Sequence, residues 1–273
     1  MKYLRMKDGT QISYKDWGVG APVVFSHGWP LNADAWDAQM LYMLHHGYRV
    51  IAHDRRGHGR SDQPLQGHEM DTYADDLATL LDTLDLKEAT LVGHSAGGGE
   101  VARYIGRNGT ERVSKVILIG AVPPLMVRTA ANPGGLPLGV FDTMRENTAT
   151  RRAEFFMDLA LPFFGYNRPG VHRAQAVIDS FWHAAMLGSI HAEYECISAF
   201  SETDFTEDLK SFDVPTLFIH GNDDQIVPIA NSALVATKIV RNSIVKIYPG
   251  GSHGLCATAP KQINADLFAF LAD

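Results

Sequence analysis

Short apolar runs rich in β-branched residues alternate along this chain with stretches of helical periodicity, and that alternation limits its fold more than any other feature. The apolar runs lie at 22–26, 49–53, 89–93, 116–120, 215–220 and 244–248, and the helical stretches at 33–46, 72–84, 98–107, 229–240 and 259–271. Runs without polar alternation are typical of strands buried on both faces, as in parallel sheets. We therefore predict an α/β domain with a mostly parallel central sheet flanked by helices, opened by a strand or hairpin over 9–17.

One long segment breaks this alternation. Residues 122–207 contain no convincing strand pattern, and helix-like stretches surround Phe155 and Trp182 among others. We predict a helical cap over 122–207, inserted after the sixth strand into a core formed by residues 1–121 and 208–273. The segment holds 11 of the 26 aromatic residues of the chain. These side chains either pack the insertion itself or line an apolar cavity beneath a lid.

Charge and composition argue against several classes of function. The chain has 24 lysines and arginines against 31 aspartates and glutamates, a formal net charge of −7, so we expect no nucleic-acid partner. No stretch approaches the roughly 18 apolar residues that cross a bilayer, and the first residues lack an apolar leader, so we expect no membrane partner and a cytoplasmic location. With only Cys196 and Cys256, and without a His-Glu-x-x-His pattern, we expect neither a disulfide framework nor a metal site.

The segment Gly93-His94-Ser95-Ala96-Gly97 carries the most specific chemical signal, and it lies between a predicted strand and a predicted helix. A serine hydroxyl is a poor nucleophile unless it is held clear of the backbone beside a base, and a tight strand-to-helix turn does this. Glycines two positions either side of Ser95 allow that turn. In the alternative, Ser95 only caps a helix. The flanking strand and helix favour the nucleophile.

A serine nucleophile of this kind needs an acid and a base from the ends of later strands. His253 follows the last predicted strand in a glycine-rich loop and is the candidate base. Asp223 and Asp224 follow the preceding strand and compete for the acid. Asp224 is favoured because it is nearer to the segment that leads into the next helix, whereas Asp223 suits a turn or cap. Because the carboxyl ends of parallel strands meet at one edge, we expect these residues to converge.

The reaction also needs two backbone N–H groups that face the developing oxyanion. Ala96, the residue after the nucleophile, is predicted to supply one. The loop over 25–30 is predicted to supply the other from Trp29, with Gly28 permitting a sharp turn. His27 is interpreted as a residue that stabilises this loop and not as a catalytic group.

These motifs resemble those of the α/β-hydrolase superfamily, and within it those of the arylesterases and the cofactor-free, non-haem haloperoxidases, also called perhydrolases. The likeness runs nearly from end to end of the chain and rests on the segments 7–10, 25–29, 54–61, 93–97, 101–104 and 220–228. The resemblance implies an α/β-hydrolase fold, a triad of Ser95, Asp224 and His253, and oxyanion donors at Trp29 and Ala96. It also implies that no cofactor is needed, and it suggests a homo-oligomer by analogy.

By the same resemblance, cap and loop residues line the substrate pocket. They are Val122, Met126, Met144, Leu159, Phe163, Ile226 and Ile229. Several of them are aliphatic or methionine where relatives have aromatic residues, which argues against a strict preference for aryl esters. Relatives commonly carry phenylalanine before the nucleophile and methionine after it. His94 and Ala96 should therefore leave more room beside the oxyanion hole.

Pro30, directly after the tryptophan of the oxyanion loop, resembles the perhydrolase-type members of the family. Its fixed φ biases the preceding Trp29 towards an extended ψ. We hypothesise that the Trp29 carbonyl then accepts a hydrogen bond from incoming hydrogen peroxide. In the alternative, Pro30 only stiffens the loop.

Together these features predict a serine hydrolase that cleaves small aryl or alkyl carboxylic esters through an acyl-enzyme. Hydrogen peroxide is expected as a second acceptor, which would give perhydrolase or non-haem chloroperoxidase side activity. A haloalkane dehalogenase or epoxide hydrolase would need an aspartate in place of Ser95. Lactonase, amidase or C–C bond hydrolase activity on the same fold is the enzymatic alternative, and a ligand-binding receptor on a hydrolase scaffold is the non-enzymatic one.

Overall fold

The computed structural model describes residues 1–272 and contains one eight-stranded sheet. The strands are β1 Lys2–Arg5, β2 Gln11–Trp17, β3 Pro22–Ser26, β4 Arg49–His53, β5 Ala89–His94, β6 Val113–Ile119, β7 Thr216–Gly221 and β8 Ser243–Tyr248. They lie in the order β1-β2-β4-β3-β5-β6-β7-β8. The strands from β3 to β8 pair in parallel, whereas β1 and β2 form an antiparallel hairpin that joins β4. The predicted mostly parallel sheet is confirmed, and the opening segment is a hairpin that begins earlier than predicted, at Lys2.

Helices cover both faces of the sheet, as predicted. The helices α1 Asp37–His45 and α10 Pro260–Ala272 pack together on one face, and the short α9 Leu255–Thr258 lies between β8 and α10 in the chain. The opposite face carries α2 Met70–Thr83, α3 Ala96–Asn108 and α8 Ala233–Ile239. Because both faces are covered, every residue of the central strands β5 and β7 is buried. This burial is the physical reason for their continuous apolar sequences.

Between β6 and β7 the chain is helical, with α4 Leu138–Phe163, α5 Gln175–Met186, α6 Ile190–Glu202 and α7 Thr206–Lys210. The long α4 is interrupted at Arg151, whose φ of −146° is not helical, and it packs against α5 and α6. The short α7 packs against α3 and α8 of the core, so the predicted cap boundary at 207 falls inside a helix. Across residues 1–272, no helix is both long enough and apolar enough to span a bilayer.

Candidate active site

Ser95 sits at the turn between β5 and α3 in a strained conformation. Its φ is 54° and its ψ is −121°, a region that non-glycine residues rarely adopt. Its backbone N–H donates to the carbonyl of Ile119 at 3.1 Å. A Cβ atom on Gly97 would lie 2.1 Å from the Ser26 carbonyl oxygen, and one on Gly93 would lie 2.6 Å from that of Gly97. Glycine is therefore required on both sides of the serine, because the backbone segments nearly touch.

Asp224 and His253 are joined by a buried hydrogen bond at the same edge of the sheet. His253 Nδ1 donates to Asp224 Oδ2 at 2.7 Å, and both residues are almost fully buried. The other carboxylate oxygen accepts from the backbone N–H groups of Ile226 at 2.9 Å and Val227 at 2.8 Å. Burial opposes ionisation, yet the charge of His253 and the hydrogen bonds from His220 and His253 hold the pKa of Asp224 far below its usual value. The carboxylate is thus anchored and charged.

His220, the penultimate residue of β7, was missed by the sequence analysis. Its Nε2 atom lies 2.8 Å from the Val227 carbonyl oxygen and 3.3 Å from Asp224 Oδ2. The residue is 1% exposed and lies in contact with the Asp224 carboxylate. The available signal was its position four residues before Asp224 at the end of a buried strand.

The second ring nitrogen of His253 is available for chemistry. Since Nδ1 is committed to Asp224, Nε2 is the free nitrogen; it is buried and has no hydrogen-bond partner within residues 1–272. No hydrogen bond therefore joins it to Ser95 in this structure. Such bonds are often long in unliganded enzymes and tighten when substrate binds. An unpartnered buried nitrogen is costly, so a hydroxyl that reached it would be bound favourably.

Two backbone N–H groups near the serine are free to bind an oxyanion. Those of Trp29 and Ala96 meet no acceptor in the described part of the chain. A Cβ on Gly28 would lie 3.0 Å from Ser95 Cβ, so the loop approaches the serine more closely than a side chain would allow. The Trp29 indole donates to the backbone carbonyl of Glu193 at 3.0 Å, which fixes the loop to α6. The Trp29–Pro30 peptide bond is cis.

Ser95 lines a small cavity of about 20 Å³ beneath the helices that follow β6. Its other lining residues are Trp29, Val122, Met126, Met144, Leu159, Phe163, Phe200, Ile226 and Val227. Ile229, which the resemblance placed in the pocket, is not among them, and neither is Pro30, which was expected to act on the acyl acceptor, whereas Phe200 and Val227 were not predicted. The cavity has room for about one water molecule. An ester can therefore enter only if some of these side chains move.

His94 supports the loop that carries His253. Its Nε2 donates to the His253 carbonyl at 3.1 Å, and the two rings lie 4.8 Å apart. Burial and the nearby His253 lower the pKa of His94 to about 3, so the ring is neutral at ordinary pH. Its ring also meets Trp36 and Phe163 edge-on. His94 thus donates a hydrogen bond to the backbone of the candidate base.

A buried ionic network joins α3, the helix that follows Ser95, to the loop over 25–30. Glu100 in α3 accepts from Arg55 Nε at 2.8 Å and from Ser26 Oγ at 3.0 Å, and it lies 2.8 Å from His53 Nε2. Arg55 donates in turn to the His27 carbonyl at 2.7 Å, and its backbone N–H donates to His27 Nε2 at 2.9 Å. Although burial opposes ionisation, Arg55 and His53 lower the pKa of Glu100 to about 2. The network therefore contains charged side chains, and it extends to His27, the residue before Gly28.

Comparison with known proteins identifies close relatives. A family model described as alpha/beta hydrolase fold matches residues 21–260. A non-heme haloperoxidase from Rhodococcus erythropolis is 57% identical over 272 residues, which cover 99% of each chain. A bifunctional esterase/perhydrolase from Acinetobacter calcoaceticus is 50% identical over 274 residues, again 99% of each chain. The crystal structure of a bromoperoxidase from Bacillus anthracis superposes with a TM-score of 0.95 at 40% identity and covers 100% of each chain.

Proposed function

This chain belongs to the alpha/beta hydrolase fold family, within the group of the non-haem haloperoxidases and perhydrolases, and from that premise we propose that it is a serine hydrolase of small carboxylic esters that also transfers acyl groups to hydrogen peroxide. The observation that carries the proposal is the buried hydrogen bond between His253 and Asp224, beside a serine on a strained strand-to-helix turn. Such strain persists only where the surrounding structure maintains it, and it is concentrated at functional sites.

In the proposed first step, Ser95 attacks the ester carbonyl while His253 Nε2 takes its proton. Asp224 supports this because its hydrogen bond keeps the proton on Nδ1 and leaves Nε2 as the acceptor. The backbone N–H groups of Trp29 and Ala96 stabilise the oxyanion of the tetrahedral intermediate. His253 then returns the proton to the departing alcohol, and the acyl group stays on Ser95.

In the second step, an acceptor takes the acyl group. Water attacks the acyl-enzyme, gives its proton to His253 and releases the acid and the free serine. Hydrogen peroxide attacks in the same way. One of its O–H bonds breaks and a new C–O bond forms to the acyl carbon, while the C–O bond to Ser95 breaks and His253 passes the proton to the Ser95 oxygen, which gives a peracid without any change in the oxidation state of the enzyme. A peracid formed in this way can oxidise halide in solution, which fits the haloperoxidase names of the relatives.

Two further parts of this proposal rest on the sequence. Cys196 and Cys256 are both free thiols, which suits a reducing compartment, and we place the enzyme in the cytoplasm. A homo-oligomer remains a prediction by analogy with relatives.

Pre-steady-state kinetics with p-nitrophenyl acetate test the proposal. We expect a burst of p-nitrophenol close to one per protein chain, because acylation of Ser95 by this activated ester should be faster than hydrolysis of the acyl-enzyme. Adding hydrogen peroxide should yield peracetic acid at the expense of acetate. The Ser95→Ala variant is the control and should show no burst. A protein that binds the ester without a burst or turnover would be a receptor, and the proposed function would be wrong.

Replacing Pro30 with leucine tests the role of this residue in the choice of acceptor. If the Trp29 carbonyl accepts a hydrogen bond from peroxide, the ratio of perhydrolysis to hydrolysis should fall about fivefold, the value of one hydrogen bond worth about 1 kcal/mol. The ratio is measured from peracid and acid formed at fixed peroxide concentration. Pro169→Leu, in an exposed loop, is the matched control. An unchanged ratio in the Pro30 variant would mean that Pro30 only stiffens the loop.

A further inference from the structure

The Asp224 carboxylate is in contact with a second imidazole besides that of His253. His220 Nε2 lies 3.3 Å from Asp224 Oδ2, the same oxygen that accepts from His253 Nδ1 at 2.7 Å. None of the three side chains is more than 1% exposed. They form a buried chain of histidine, aspartate and histidine, and the proposed acyl transfer uses only two of its members.

The partners of His220 determine which of its ring nitrogens carries a hydrogen. Nε2 lies 2.8 Å from the carbonyl oxygen of Val227, and a carbonyl oxygen can only accept. Nε2 is therefore an N–H donor. The Asp224 Oδ2 atom lies near the same donor, at 3.3 Å. One N–H group is thus shared between a neutral carbonyl and a charged carboxylate.

His220 also ties the turn that carries the acid to the sheet. Asp224 Oδ1 accepts from the backbone N–H of Val227 at 2.8 Å, and the carbonyl of Val227 accepts from His220. His220 belongs to β7, in which every residue is buried. The imidazole therefore links the turn to a buried strand and helps to hold the carboxylate in place against His253.

Few other groups act on the bond between the acid and the base. Within residues 1–272, His253 and His220 are the only side chains with a polar atom in contact with Asp224 Oδ2. A Cβ atom on Gly120 would lie 3.3 Å from that oxygen and 3.2 Å from His253 Nδ1, so backbone covers the bond. The ring of His94 also lies beside that of His253, and it is neutral because burial lowers its pKa to about 3.

We propose that His220 is a positioning residue for the candidate acid and base: its Nε2–H group holds the Asp224 turn and shares the carboxylate oxygen with His253, which makes His253 a weaker base than an unshared carboxylate would. This inference rests on the proposed function. The positive end of an N–H dipole beside Oδ2 offsets part of the negative charge that stabilises protonated His253. Such an effect is strong in a buried site, where the effective dielectric constant is low.

The His220→Leu variant tests the proposal, because leucine fills much of the same space and has no N–H group. The readout is kcat/KM for p-nitrophenyl acetate from about pH 5 to pH 9, whose acid limb reports the ionisation of the base in the free enzyme. A more basic His253 loses its proton at higher pH. We therefore expect the midpoint of the acid limb to rise by about 0.5 to 1 pH unit, the shift that corresponds to one hydrogen bond. The plateau at high pH should fall about tenfold, because the acid turn is held less firmly.

Two further variants separate the loss of the donor from a loss of packing. His220→Gln keeps a side-chain N–H group at a similar reach and should keep the midpoint within about 0.2 pH unit of wild type. His68→Leu is the matched control, because His68 is also buried and its Nε2 donates to a backbone carbonyl, that of Pro64, at 2.8 Å. It should leave the midpoint unchanged even where it lowers the melting temperature. His220→Asn, whose shorter amide does not reach as far, repeats the test if His220→Leu fails to fold.

The midpoint decides the outcome. An unmoved or lowered midpoint in a folded His220→Leu or His220→Asn variant would overturn the inference, even if the plateau falls. An equal rise in His220→Gln or His68→Leu would overturn it as well, because lost packing would then explain the rise. In both cases a wild type with Ser95-dependent hydrolysis leaves the proposed function intact. If wild type hydrolyses no ester, the proposed function itself fails, and the inference fails with it.

Discussion

The Asp224→Asn variant is expected to lose about 10⁴-fold in kcat for ester hydrolysis while remaining folded, as the corresponding change does in serine proteases. The reason lies in how the carboxylate is held. One oxygen accepts two backbone N–H groups, those of Ile226 and Val227, so an asparagine must place its amide oxygen there. Its NH₂ group then faces His253 Nδ1. The asparagine NH₂ and a protonated Nδ1 would both be donors, so Nδ1 must lose its proton and act as the acceptor. The imidazole then carries its proton on Nε2, and that atom cannot accept the proton of Ser95.

The neighbouring aspartate supplies a matched control. Asp223 is paired with Arg168 near the surface and makes no hydrogen bond to His253 within residues 1–272. Asp223→Asn should therefore keep kcat within about twofold, because surface substitutions away from the site have small effects. Both variants are assayed with p-nitrophenyl acetate at neutral pH, and thermal unfolding verifies that they fold. A large loss in Asp223→Asn with little loss in Asp224→Asn would assign the acid to Asp223, the alternative that the sequence analysis left open.

Glu100→Gln is expected to destabilise the fold by about 3 to 5 kcal/mol, the usual cost of removing one partner of a buried ion pair. Glu100 is fully buried, and its charge is balanced by the equally buried Arg55, with His53 and Ser26 at its other oxygen. A neutral amide leaves the guanidinium without its counter-charge. Urea unfolding followed by circular dichroism measures the change in the free energy of unfolding.

Two further variants separate this explanation from a general loss of packing. Glu207→Gln removes an exposed pair with Lys210 and should change the free energy of unfolding by less than about 0.5 kcal/mol. Adding Arg55→Met to Glu100→Gln removes the uncompensated charge and should recover part of the loss, which the double-mutant cycle measures. A Glu100→Gln variant as stable as wild type would show that the network does not support the fold.

Much of the fold could be predicted because its determinants are local. The apolar run over 89–93 predicts a buried strand without information from any other part of the chain. The glycines around Ser95 permit a tight turn, and such a turn depends on only a few successive residues. The order of serine, acid and base along the chain then follows from parallel strands that all end at one edge. Helix boundaries were less exact, because helix ends depend on contacts such as those of α7 with α3.

The side chains that surround the site could not be predicted in the same way. The resemblance placed Ile229 in the pocket and missed Phe200, because cavity walls are assembled from distant elements whose relative rotation no short segment specifies. The buried network of Arg55 and Glu100 was not predicted from the sequence. Its members are separated by 45 positions in the chain and are brought together only by packing.

The amino-acid sequence alone determined the parallel α/β architecture and the candidate roles of Ser95, Asp224 and His253, because strand burial, backbone turns and strand order leave marks on neighbouring residues. Only the tertiary structure decided that the cavity beside Ser95 is about 20 Å³ and that Glu100 is ionised in the interior. The volume of a cavity depends on the space that remains after the helices and strands pack, and the ionisation of a buried group depends on the charges that packing brings near it. Packing is set by long-range contacts that no single segment of the sequence encodes.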